Sequence, residues 1–224
     1  MQSGPSPIFV FDAFGTLFDV HSAMRAHANA LGPNAQRFSD IWRAKQLEYT
    51  WIYAGIGEGA PAPVFRAITE QSLDYALAVT DLAPSLAPRL LESYRRLAAF
   101  PEVSASLAAA KARGARLAIL SNADPDQLDE LVAHAGLSGL FDHLLSVSPT
   151  GTYKPAPSVY RLATDAFDCT PRDITFVSSN RWDCAGAKAF GFKTLWVNRS
   201  GAPDEYDALA ADRVVPDLGK EALQ

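Results

Sequence analysis

Cysteine is scarce in this 224-residue chain, with Cys169 and Cys184 the only two. Two thiols with no secretory pattern ahead of them do not make a disulfide framework, so reduced thiols and a cytoplasmic location are expected. Long apolar runs are also lacking. No stretch approaches the roughly 20 consecutive apolar residues of a membrane span, and Met1 to Asp12 carries no basic segment before its short apolar run. A soluble protein that makes no use of a membrane is therefore expected. Basic blocks are missing as well. The 20 Lys and Arg are dispersed among 25 Asp and Glu, for a formal charge of -5, and nothing could neutralise a run of phosphates. Nucleic acid is excluded as an expected partner.

What is present is a hydrophobic content of 48%, enough for one ordinary core plus a sizeable insertion. Four β-branched, apolar runs read as buried strands: Ile8 to Phe11, Arg116 to Leu120, Ile174 to Val177 and Lys193 to Val197, with a weaker candidate at Phe141 to Val147. Helical patterns fall between them at Ala105 to Ala112, Asp126 to Ala135, Ser158 to Phe167 and Cys184 to Phe190. This alternation predicts an α/β fold, a Rossmann-like doubly wound parallel sheet. The stretch from about His21 to Phe100 breaks the rhythm. It holds no convincing strand and reads as amphipathic helices around a loop from Gly55 to Pro63. The expected division is a core of residues 1–20 and 100–224 with a helical cap at 21–99, inserted above the carboxyl edge of the sheet, where open α/β proteins bind ligands.

Polar residues follow the apolar runs at that edge. Asp12 ends the first run, and Gly15 permits a sharp turn behind it; alone, such an acid is as readily a cap as a nucleophile. Ser121 and Asn122 follow the second run, before Asp124 and Pro125, which fit the N-cap and first position of a helix. Free N–H groups there would favour an anion, although a purely structural Ser-Asn turn looks the same. Lys154 is held extended by Pro155, and Pro157 can open the next helix; a solvated surface lysine is the simple alternative. Ser178, Asn180 and Asp183 follow the run at Ile174 to Val177, before a helix whose Ala185, Gly186, Ala187 and Ala189 allow close approach to the sheet. Taken together, Asp12, Ser121, Lys154 and Asp183, each after a successive core element, are far more specific than any one of them.

In that order and placement the sequence resembles the haloacid dehalogenase superfamily. Four segments, Phe11 to Ser22, Trp42 to Trp51, Tyr153 to Tyr160 and Phe176 to Asp183, look like the L-2-haloacid dehalogenases in particular. The resemblance implies that Asp12 attacks C2 of an L-2-haloalkanoate to form an ester, that halide leaves, and that a water placed by Asp183, Lys154 and Asn180 then releases a D-2-hydroxy acid. It implies that Arg43 and Asn122 cradle the halide and that Ser121 and the N–H groups of Ala13 and Phe14 hold the substrate carboxylate. Thr16 and Ser178 match hydrogen-bonding positions around Asp12, and Tyr160 matches one that orients the lysine or the carboxylates, unless it is an ordinary core tyrosine. Phe14, Phe65 and Trp182 are candidate apolar walls.

Most members of the superfamily are phosphatases with a second acid two residues after the nucleophile. Phe14 occupies that position here, so a leaving alcohol would have no general acid, whereas a halide needs none. Ser178 and Ser179 also stand where a Mg²⁺ site would want acids. No metal and no other cofactor is expected, and a Mg²⁺-dependent small-molecule phosphatase is the alternative. Fluoroacetate as a substrate, the halogen preferred and the chain length stay open. Asp124, Arg181 and Cys184 depart from the family pattern, and the first two bear on the charge or width of the entrance. A homodimer is expected from the resemblance alone.

Overall fold

The computed structural model describes residues 6–57, 62–219 and 221–224. Six strands form one parallel sheet in the order β3-β2-β1-β4-β5-β6. They are β1 Ile8–Phe11, β2 Arg116–Ser121, β3 His143–Ser146, β4 Ile174–Ser178, β5 Lys193–Val197 and β6 Arg213–Val215. The central strand β1 is buried along its whole length, which is why its sequence is a continuous apolar run and not an alternating one. Helices α6 Val103–Ala112, α7 Pro125–His134, α8 Pro157–Phe167 and α9 Arg181–Phe190 alternate with the strands. Among the described residues, five further α-helices, α1 Ser22–Ala26, α2 Ala28–Leu31, α3 Ala35–Ile56, α4 Phe65–Val79 and α5 Ala87–Tyr94, lie between β1 and α6.

Register delivers the polar residues to one edge. Phe11 pairs with Ile119 on β2 and with Val177 on β4, and Asp12 N–H continues the ladder by donating to Val177 O at 2.9 Å. The strand order reverses across β1 and β4, and the crevice at such a reversal is where open parallel sheets hold ligands. The chain leaves the sheet and returns at one place. Asp19 N–H donates to Ala98 O at 2.9 Å and Phe100 N–H to Leu17 O at 3.0 Å. Helices α3 and α4 pack on each other through a polar seam, in which Trp42 Nε1 donates to Thr69 O at 3.0 Å and Gln46 Nε2 to Thr69 Oγ1 at 2.8 Å.

Three local expectations need adjusting. The loop expected from Gly55 begins later, because α3 runs through Ile56; Glu58 to Pro61 of that loop lie outside the described residues. The weak candidate at Phe141 to Val147 is a strand only over His143–Ser146. Strand β6 is additional. It has three residues, two of them exposed, so neither an apolar run nor an alternation marks it in the sequence. Cys169 and Cys184 are free thiols, and among the described residues no helix is long and apolar enough to cross a membrane.

Candidate active site

Asp12 is buried, 6% exposed, at the carboxyl end of β1. The turn behind it is closed by Phe18 N–H donating to Ala13 O at 3.0 Å and Gly15 N–H to Phe18 O at 2.7 Å. Gly15 has φ +83°, in the left-handed region, where a side chain would be strained. One carboxylate oxygen of Asp12, Oδ2, accepts from Thr16 Oγ1 at 3.0 Å, from Asn180 Nδ2 at 2.7 Å and, more weakly, from Ser178 Oγ at 3.4 Å. Asn180 Nδ2 also donates to Phe14 O at 3.0 Å, tying the β4 edge to the turn after β1. The other oxygen, Oδ1, accepts from Lys154 Nζ at 3.0 Å.

Lys154 is 1% exposed, and its ammonium lies between two acids, because Nζ also donates to Asp183 Oδ2 at 2.7 Å. The loop before α8 is anchored by Lys154 N–H donating to Asn122 Oδ1 at 3.1 Å, a direct tie to the β2 edge. Tyr160, fully buried in the first turn of α8, donates from its hydroxyl to Asp183 Oδ1 at 2.7 Å. Burial lowers the ammonium's affinity for its proton, but the Asp12 and Asp183 carboxylates outweigh it, so Lys154 is held above its ordinary range and stays charged. Asp183 is pushed up to about 6, by burial first, against Lys154 and with the Asp12 charge adding to the rise. Burial, then Asp183, keeps the Cys184 thiol protonated, so it does not compete as a nucleophile.

Other expected site residues occupy the rim. Ser121 is buried, and its Oγ accepts the Ala123 N–H at 3.1 Å, leaving its own proton to donate. The N–H groups of Ala13 and Phe14 donate to no backbone acceptor among the described residues. Asn122 spends only its carbonyl oxygen on Lys154, so its NH₂ remains available. Arg43, on α3, stands 5.9 Å from the Phe14 ring centre and donates from Nη1 to Gln46 Oε1 at 2.8 Å. Phe14 is enclosed by Phe65 at 5.6 Å and Tyr94 at 5.5 Å between ring centres, the latter nearly parallel. Trp182 lies apart from this aromatic group. Its ring meets Trp51 edge-on at 5.4 Å, its indole N–H has no partner among the described residues, and it lines a cleft of about 440 Å³ with Trp51, Pro155, Ala156 and Tyr206.

Asp124 and Arg181 both turn away from the reacting edge. Asp124 has the N-cap position of α7 but does not cap it; its carboxylate accepts the N–H groups of Phe65 and Arg66 on α4 instead. Arg181 is spent on Asp204 Oδ1 and the Glu205 and Leu209 carbonyls, fastening the segment after β5. Gln46 and Tyr94 carry no signal of their own in the sequence. Gln46 could have been found by its helical i, i+3 spacing from Arg43, whereas Tyr94 is brought in only by tertiary packing. Its hydroxyl donates to Gln46 Oε1 at 2.8 Å, and its proton affinity is raised by burial, opposed by Arg43 and reinforced by Asp12.

Comparison with known proteins gives the family to which this buried acid, lysine and second acid belong. The family model described as haloacid dehalogenase-like hydrolase matches residues 7–191. The chain belongs to this family. Within it, the chain is 45% identical over 193 residues to the (S)-2-haloacid dehalogenase of Pseudomonas sp. (strain YL), covering 85% of this chain and 82% of that protein. It is 40% identical over 208 residues to haloacetate dehalogenase H-2 of Moraxella sp. (strain B), covering 92% of each. The fold superposes with a TM-score of 0.84 at 37% identity, over 96% of each chain, on the L-2-haloacid dehalogenase of Xanthobacter autotrophicus with chloropropionic acid covalently bound. The haloacid dehalogenase-like core is thus the fold of this hydrolase, and its sheet edge carries the candidate residues.

Proposed function

We propose that this hydrolase cleaves the carbon–halogen bond of L-2-haloalkanoic acids, giving D-2-hydroxy acids and halide through an ester on Asp12. The observation that carries this reading is the Lys154 ammonium held between Asp12 and Asp183 at 3.0 and 2.7 Å. A single buried cation there balances the acid pair without a divalent ion, and Phe14 two residues past Asp12 leaves no acid to protonate an alcohol. Both features suit a halide, which departs as an anion, better than a phosphate ester.

In the first step a lone pair of Asp12 Oδ1 forms the bond to C2 as the carbon–halogen bond breaks, and the halogen leaves with its electron pair. Arg43 and the Asn122 amide donate to the departing halide, since a guanidinium suits a diffuse anion. Ser121 Oγ and the Ala13 and Phe14 N–H groups hold the substrate carboxylate. Phe14 and Phe65 keep water from the carbon, while Trp182, apart from them, walls the cleft beside Pro155. In the second step a water placed by Asp183, Lys154 and Asn180 attacks the carbonyl carbon of the ester, giving a proton to Asp183, whose carboxylate Lys154 and Tyr160 keep in place. Oδ2 then becomes the oxyanion, and the Thr16, Asn180 and Ser178 donors already directed at it stabilise the charge that develops. The tetrahedral intermediate then collapses by breaking the bond between the Asp12 carbonyl carbon and Oδ1, which leaves on C2 as the hydroxyl after taking the proton held by Asp183; the carbon–oxygen bond to C2 survives, so C2 is inverted once.

A single turnover in ¹⁸O water with enzyme in excess tests this reading. Label in the Asp12 side chain is expected, and unlabelled Asp12 after verified halide release would sink the ester mechanism. Residues 1–20 and 100–224 are proposed as the catalytic core and 21–99 as the cap that supplies Arg43 and Phe65. We further propose a cytoplasmic homodimer; sedimentation at the monomer mass would refute the dimer. Fluoroacetate as a substrate is tested by fluoride release under the same conditions.

A further inference from the structure

Helix α4 begins without a cap of its own. Its N-cap residue is Val64, which has no side-chain acceptor for the first N–H groups. Those groups carry the positive end of the helix dipole and need a partner. The partner comes from the other side of the site, where Asp124 Oδ1 accepts the Phe65 N–H at 3.1 Å and Oδ2 the Arg66 N–H at 2.9 Å. Asp124 is buried, 7% exposed, two residues beyond Asn122 on the rim of the sheet. The neighbouring pairs of Arg66 with Asp126 and of Arg95 with Asp126 and Glu130 are all more exposed and are screened accordingly. Asp124 is therefore a buried clasp in this seam, holding the amides of α4 itself, beside the Tyr153 hydroxyl that donates to Pro63 O just before the helix. What it clasps is Phe65, whose ring lies 5.6 Å from Phe14 and 6.3 Å from Tyr153.

We propose that Asp124 is a positioning residue that sets substrate size: by holding the first two amides of α4 it fixes Phe65 against Phe14 and closes the apolar side of the site around a small 2-haloacid. The proposal rests on the dehalogenation reading. Without the clasp the first turn of α4 loses both acceptors, the Phe65 ring disengages from Phe14, and the pocket loosens while the Asp12, Lys154 and Asp183 contacts stay unchanged. Binding of a small substrate suffers, and chemistry on a bound one does not.

The test compares Asp124→Ala and Asp124→Asn with Asp126→Asn, which breaks only the exposed pairs with Arg66 and Arg95. Halide release is measured for L-2-chloropropionate and L-2-bromohexanoate, together with hydrogen exchange at the Phe65 and Arg66 amides. Asp124→Ala is expected to speed exchange at both amides and to raise KM for chloropropionate about tenfold with kcat nearly unchanged, the scale of a lost helix cap. KM for the longer acid should stay level or fall, Asp124→Asn should recover part of each effect, and Asp126→Asn should behave as wild type. Equal losses on both substrates, or exchange as slow as in wild type, would overturn the proposal. The Asn variant decides the matter if the Ala variant does not fold. Wild-type protein that releases no halide would defeat the dehalogenation reading, while the exchange data would still judge the clasp.

Discussion

Gly186→Ala sets two effects against each other. Gly186 lies within α9, and on helix propensity alone alanine should stabilise by about 1 kcal/mol. Space opposes this. A Cβ at Gly186 would stand 2.4 Å from Tyr160 Oη, 2.7 Å from Pro155 Cβ and 3.1 Å from Tyr160 Cζ. Carbon contacts prefer about 3.5 Å or more, so something must move by about 1 Å. Both groups that can move belong to the site, since Tyr160 Oη holds Asp183 Oδ1 and Pro155 follows Lys154. Overpacking typically costs about 1–3 kcal/mol, which cancels or exceeds the propensity gain, and a displacement of about 1 Å at reacting groups can cost about 100-fold in rate. The expected outcome is a kcat for L-2-chloropropionate about 100-fold lower with little change or a modest fall in Tm. A Tyr160→Phe background removes the closest contact, so Gly186→Ala should cost less there than in wild type. Wild-type kcat together with a raised Tm would refute the reasoning, because it would mean that α9 yields without disturbing the lysine and its acids.

Asp183 must be a carboxylate to take a proton from water, and burial pushes it up to about 6. Activity is therefore expected to fall as pH drops through about 6, and a kcat flat down to pH 5 would contradict this. Lys154→Ala removes the cation that opposes this rise, so the acid limb of the remaining activity should move to higher pH; an unshifted pH–rate profile would place Lys154 outside the reaction. In Asp183→Asn the first step keeps its nucleophile while the second loses its proton acceptor. About one halide per enzyme should be released, leaving an ester on Asp12 visible by mass spectrometry of the intact protein. Continued turnover at the wild-type rate would remove Asp183 from the mechanism.

The sheet was legible where its sequence had to be unusual. β1, β2, β4 and β5 are buried on both faces and so read as unbroken apolar runs, whereas β6, short and exposed, has no such need. Asp12, Lys154 and Asp183 were legible for a related reason: each follows a core element, and a parallel sheet brings all such positions to one edge. Contacts crossing to the helical segment were not. Tyr94 reaches Phe14 only because α5 packs beside α3 and α4, and Asp124 looks like a local cap because Asp before Pro usually is one. Its carboxylate turns instead to α4, where Val64 leaves the demand for an acceptor unmet. Local patterns record the preferences of one element, and neither contact belongs to a single element.

The charge arrangement also explains how an acidic protein can take an anionic substrate. Asp12 and Asp183 contribute two negative charges and Lys154 one positive charge, so this buried trio carries a net negative charge that would repel a carboxylate. Arg43 changes the balance. Its Nη1 donates to the neutral Gln46 amide, which orients the guanidinium without neutralising it. With Arg43 counted, the site is formally neutral before substrate arrives, and the guanidinium stands 5.9 Å from the Phe14 ring centre. A divalent ion between Asp12 and Asp183 would also supply positive charge, but it would draw electron density from the very oxygen that must attack carbon. An ammonium donating one hydrogen bond to Oδ1 balances the pair at less cost to nucleophilicity. Buried ion clusters add little to stability in themselves, so this one is better understood as the means by which a carboxylate is kept oriented and dry.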